Sequence, residues 1–167
     1  MNNRAKSTLV ILALALLLVF GGFEPVAASQ GIGLIVGPDF DLGEVEKGQI
    51  YHVGQMCIVN TGEEPGWYKM DVSYLQNQSE LPVPKEWITF EPQRFYLYPG
   101  VNGVYQFDYA QKIVQVYLSI PRNARKGEYF CYLEASTDSG SWLSLAVGAP
   151  FSFTVVPDIN KKKHKSR

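Results

Sequence analysis

The sequence predicts an all-β fold, with strands layered as a sandwich or closed as a barrel. Apolar residues recur with a period of two, as in Val114, Val116, Leu118 and Ile120 with Gln115, Tyr117 and Ser119 between them. That spacing buries one face of a strand and wets the other. Turn formers separate such rows at Asn60-Thr61-Gly62, Pro99-Gly100, Asn102-Gly103, Pro121 and Ser139-Gly140, each with a steric reason to end a strand. No window of a dozen residues beyond the N-terminal segment carries the apolar stripe of a helix.

In chain order, strands are expected near 32–37, 40–45, 50–59, 67–75, 86–90, 95–98, 111–120, 127–136, 141–147 and 150–156. Tyr68, Met70, Val72 and Tyr74 form one buried row, with Lys69, Asp71 and Ser73 opposite. Tyr129, Cys131, Leu133 and Ala135 form a second, Leu143, Leu145 and Val147 a third, and Phe151, Phe153 and Val155 a fourth. The segment Val101 to Ala110, VNGVYQFDYA, does not alternate cleanly and reads as an insertion after the Pro99-Gly100 turn. Two readings of it stand open. Its aromatics Tyr105, Phe107 and Tyr109 form a binding surface on a loop, or the segment is a hairpin that extends the neighbouring strand.

The ends set how much chain there is to fold. Arg4 and Lys6 precede an uncharged apolar run from Leu9 to Phe20, and Val26-Ala27-Ala28 supplies small residues before Ser29. This is the pattern of a secretory signal cut after Ala28. The competing reading is an uncleaved anchor, since Ser7 to Phe23 spans 17 residues, the short edge of what crosses a hydrocarbon core of ~30 Å. The expected organisation is a signal-peptide helix over 1–28, one sandwich domain over 29–157 and a disordered basic tail over 158–167. Removing the first 28 residues leaves 139, enough for one hydrophobic core. An exported protein is expected, extracellular or within the cell envelope or periplasm.

Charge is unevenly placed. From Ser29 to Pro157 there are 8 Lys and Arg against 14 Asp and Glu, a balance of −6, whereas Asp158 to Arg167 holds five basic residues and one acid. An acidic exported domain is a poor partner for nucleic acid. Membrane contact is expected only through an uncleaved signal segment or, weakly, through the basic tail. The two histidines, His52 and His164, supply neither a metal cluster nor a nucleophile triad. Asp39, Asp41, Glu44 and Glu46 lack the glycine and bidentate glutamate of a calcium loop. No catalytic residue, metal site or cofactor is therefore expected, and the chain does not read as an enzyme.

The order Asn60-Thr61-Gly62, Trp87-Ile88, Phe90-x-Pro92, Phe95-x-Leu97-x-Pro99-Gly100, Ile120-Pro121, Ala124 and Gly127-x-Tyr129 resembles an immunoglobulin-like module of exported prokaryotic proteins. It is similar to the NEW3-type domain found beside carbohydrate-active enzymes and to the peptidoglycan-binding immunoglobulin-like domain of WxL-interacting surface proteins. More distantly it resembles the N-terminal domain of PapD-like chaperones. The resemblance covers roughly residues 38 to 156 and implies an immunoglobulin-like β-sandwich of two antiparallel sheets. It also implies a module that binds, spaces or presents rather than catalyses. The insertion at Val101 to Ala110 departs from the pattern.

In that frame Cys131, two residues after Tyr129, stands as in the Tyr-x-Cys arrangement of immunoglobulin domains. A Cys57–Cys131 disulfide is one reading. The other is that the pleat turns Cys57 outward and Cys131 inward, with a bulge at Gly54 deciding the parity. Tyr129 is expected to form a tyrosine corner with the turn Arg122 to Gly127 before it. Trp67 and Trp142 fall on the outward parity of their strands and, with Tyr105, Phe107 and Tyr109, are the candidate binding residues. Phe95, Leu97, Val114, Val116, Leu118, Ile120 and Tyr129 are expected to be buried together. The expected function is a non-catalytic secreted or cell-surface binding or structural module for other surface or secreted proteins or cell-wall polysaccharide. The alternatives are an assembly chaperone that takes a client strand along a sheet edge and a carbohydrate-binding module.

Overall fold

A computed structural model describes residues 30–36, 40–138 and 144–157. The expected signal segment, Trp142 and the basic tail lie outside the described residues. Among the described residues ten strands form two sheets: β1 Gly33–Val36, β2 Asp41–Val45, β3 Ile50–Val59, β4 Gly66–Ser73, β5 Leu81–Pro82, β6 Ile88–Glu91, β7 Arg94–Leu97, β8 Gln111–Ser119, β9 Gly127–Thr137 and β10 Ala146–Val155. One sheet runs β1-β3-β8-β6 and the other β2-β10-β9-β4-β7, with β5 beside β9. Among the described residues the only helical turn is a short 3-10 segment, Lys85–Trp87, and no helix is long and apolar enough to cross a membrane.

Alternation explains the core. Val114, Val116 and Leu118 on β8 are fully buried and face Leu133, Phe151 and Met70 of the opposite sheet in one cluster. Phe95, Leu97, Ile120 and Tyr129 lie in the same cluster, so the seven residues expected to be buried together are buried together. Each large side chain so buried contributes about 1.5–3 kcal/mol.

Three features depart from the sequence reading. Pairing is not wholly antiparallel, because β2 runs parallel to β10 and β5 parallel to β9. The cause at β2 is an edge segment that pairs with β3 as β1 and then crosses to the other sheet. Second, the strands expected at 141–147 and 150–156 are one strand from Ala146, continuous through Pro150. Ser152 donates its N–H toward β2, to the Phe40 carbonyl at 3.1 Å, so Pro150 faces the same side by parity. Pairing with β2 starts only at Ser152, and the missing N–H of Pro150 costs no ladder bond. Third, Tyr74, expected at the end of a buried row, is 40% exposed, because β4 ends at Ser73. Its hydroxyl instead donates to the Val83 carbonyl at 2.6 Å.

Candidate functional site

Strands β4 and β7 are paired with Trp67 opposite Tyr96 and Tyr68 opposite Phe95. Because side chains alternate across a strand, Tyr68 and Phe95 enter the core and Trp67 and Tyr96 stand on the outer face. There the aromatics continue as a ladder. Trp67 meets Tyr96 edge-on at 5.3 Å between ring centroids, and Tyr96 meets Tyr98 edge-on at 5.4 Å. Tyr98 then stacks on Tyr109 at 4.7 Å with 9° between planes. All four remain between 40% and 44% exposed.

Charge caps the Trp67 end. The Arg94 guanidinium lies 4.4 Å over the Trp67 ring, a cation–π geometry, while its Nε donates to Asp138 at 2.8 Å. Lys69, opposite Arg94 in the register, reaches the other Asp138 oxygen at 3.9 Å. Asp138 is itself fixed by its N–H to the Trp67 carbonyl at 2.8 Å. Exposed ion pairs add little stability; this one holds Arg94 over Trp67.

At the other end the ladder rests on the insertion. Tyr98 donates its N–H to the Tyr109 carbonyl at 2.8 Å, which fixes Tyr109 against Tyr98. The insertion contains a hairpin turn, Val101 paired with Val104 around Asn102-Gly103, and Tyr105 and Phe107 are exposed beyond it. Trp67 and Tyr109, singled out separately from the sequence, are thus joined through Tyr96 and Tyr98. Arg94, Tyr96 and Tyr98 were missed. The available signal was their shared outward parity opposite Phe95 and Leu97.

The remaining candidates are structural. Tyr129 donates its hydroxyl to the Arg125 carbonyl at 2.9 Å, four residues upstream, and its ring stacks on Phe153 at 5.2 Å. Trp87 is half-buried and packs on Tyr129 at 5.2 Å. The cysteine pairing needs correction: both thiols are free. A register shift between His52 and Gly54 sets the parity of β3 so that Met56 and Ile58 are buried. Cys57 therefore points outward, where its thiol donates to Gln111 Oε1 at 3.3 Å, whereas Cys131 is buried in the core. Burial pushes the Cys131 thiol up to about 12, which suits an inert packing residue rather than a nucleophile. Among the described residues no group of three or more His, Cys, Asp or Glu could hold a metal ion.

No protein-family model matches the chain, and no curated protein matches it. Solved structures do. PapD-like domain 7 of human CEP192 is 9% identical at a TM-score of 0.50, covering 82% of this chain and 93% of that one. The Escherichia coli chaperone DraB is 11% identical at a TM-score of 0.42, over 77% of this chain and 55% of the chaperone. A family 123 glycoside hydrolase from Clostridium perfringens is 13% identical at 0.46, over 78% of this chain and 27% of the hydrolase. At these identities the likeness concerns the fold alone, an immunoglobulin-like β-sandwich.

Proposed function

We propose that this chain is an exported, non-catalytic immunoglobulin-like module that binds a protein partner at the cell surface through the ladder of Trp67, Tyr96, Tyr98 and Tyr109. The observation that carries the reading is the gathering of four exposed aromatics and a stacked arginine on one edge of one sheet. Trp, Tyr and Arg are the side chains that dominate protein interfaces, because they offer large contact area with a polar handle. Export is supported by the N-terminal charge, apolar run and small-residue site.

Ring orientation favours protein over polysaccharide. Trp67, Tyr96 and Tyr98 meet at 69° and 82°, so no continuous flat platform faces a sugar chain. The likeness to NEW3-type and WxL-interacting modules nevertheless keeps cell-wall polysaccharide as the competing ligand. Strand addition by a client is less well supported. The terminal strands β1, β6 and β7 have four residues each and β2 has five, which limits the backbone bonds an added strand could make.

The test is capture of secreted proteins by the wild-type chain and by Trp67→Ala and Tyr96→Ala, beside sedimentation with peptidoglycan. A protein retained by wild type and lost with either variant is the expected result. Sedimentation that depends on the same residues, with no protein retained, transfers the site to polysaccharide.

A further inference from the structure

The insertion beyond the ladder has a second property that does not depend on the proposed protein partner. Every residue from Val101 to Tyr109 is exposed, with Val101 and Val104 at 59% and Phe107 at 65%. These apolar groups are held in place by backbone bonds. Val101 and Val104 exchange hydrogen bonds of 3.1 and 2.9 Å around Asn102 and Gly103, whose φ values of 51 and 75° are those of the tight hairpin turn. Ala110 donates to the Gln106 carbonyl at 2.8 Å. The Tyr105 ring fills the place where a Cβ on Gly100 would sit, 2.7 Å away.

Charge is absent from Phe95 through Phe107. The first charged residue after that stretch, Asp108, is paired with Lys112 at 2.6 Å. Behind the apolar groups come Tyr105 and the exposed Asp108–Lys112 pair, then the ladder from Tyr109 and Tyr98 to Tyr96 and Trp67, with Arg94, Lys69 and Asp138 at its far end. Apolar groups in front, with an aromatic ring and charges just behind them, match the order of environments across a membrane interface. The start of the described chain lies at the same pole: Gln30 packs on Gly66, and the Gly31 carbonyl accepts from Tyr68 at 2.8 Å. Exposed Glu63 and Glu64 at this pole oppose attraction to anionic headgroups.

We propose that Val101, Val104 and Phe107 insert into the interfacial zone of a lipid bilayer, with Tyr105 at headgroup level. The ladder of Trp67, Tyr96, Tyr98 and Tyr109 stays in water. This contact is apolar and separate from the two membrane routes expected from the sequence, the signal segment and the basic tail.

The test uses the full chain with zwitterionic phosphatidylcholine vesicles at high salt. Phe107→Trp places a reporter at the tip, Asn123→Trp places one at the opposite pole, and wild type supplies the background of the native tryptophans. Both sites are exposed, so neither change threatens the fold. The expected result is a blue shift of the Phe107→Trp emission, loss of that emission with lipids brominated near the headgroup, and reversal of both by Val104→Asp. The Asn123→Trp emission should stay aqueous. An unshifted tip, a tip shift that survives Val104→Asp, or protection at Asn123→Trp would overturn the proposal, as would a tip that responds to a captured protein and not to vesicles.

Discussion

Trp67 and Tyr68 are consecutive in the chain and meet opposite fates, and across β7 their partners Tyr96 and Phe95 repeat the division. Inside, Tyr68 is fully buried and lies nearly parallel to Phe95, with centroids 6.2 Å apart. Outside, Trp67 and Tyr96 sit at 5.3 Å and remain about two-fifths exposed. One register on two strands thus makes two aromatic pairs of similar size. The inner pair loses nearly all contact with water and works for stability. The outer pair keeps much of its contact, and a cross-strand pair of this kind adds only about 0.2–1 kcal/mol to the sheet, so its larger contribution is available to a partner.

The inner pair is the more sensitive to truncation, above all at Phe95. Phe95→Ala should cost roughly 3–5 kcal/mol of unfolding free energy, measured by chemical denaturation. Next in size is alkaline pH. Burial pushes the Tyr68 phenol and the Cys131 thiol up to about 12, from ordinary values of 10.0 and 9.0. The fold therefore favours their neutral forms. Their contribution is whole below about pH 9 and falls away as pH rises toward 12, so denaturation midpoints should decline across that window, and Cys131→Ala should flatten the decline.

Tyr129→Phe removes the hydroxyl bond to Arg125 and should cost about 0.5–1.5 kcal/mol, read as a lowered denaturation midpoint at neutral pH. At the acid end burial would raise the Asp71 carboxyl, but the hydrogen bonds from Lys85 and the Val72 N–H and the nearby Lys85 and Lys69 charges together hold it below 3.8. That stabilisation is present above pH 3.8 and disappears as pH falls through the lowered value. Solvent screens the exposed Lys85 pair, so Lys85→Ala should change acid stability only slightly.

The inward rows were legible because parity is local: Val114, Val116 and Leu118, or Cys131, Leu133 and Ala135, need only their neighbours to be assigned a face. The ladder was not, because Trp67 and Tyr96 meet through a β4–β7 register across 29 positions of chain, and alternation is silent on which strand pairs with which. The break expected between 147 and 150 is absent for a related reason. A proline ends a strand only where its N–H is needed, and that depends on where β2 begins to pair. The cysteines turned on the single residue of the Gly54 bulge, whose φ of 148° is a conformation that a residue with a side chain rarely adopts.

The most direct test of the central claim joins binding and stability in one variant, Trp67→Ala with Tyr96→Ala. The expected result is a melting temperature within about 4 °C of wild type, the shift of ~1 kcal/mol in a domain of this size, together with a loss of partner binding of about tenfold or more. A collapse in stability like that of Phe95→Ala, or full stability with unchanged binding, would contradict it.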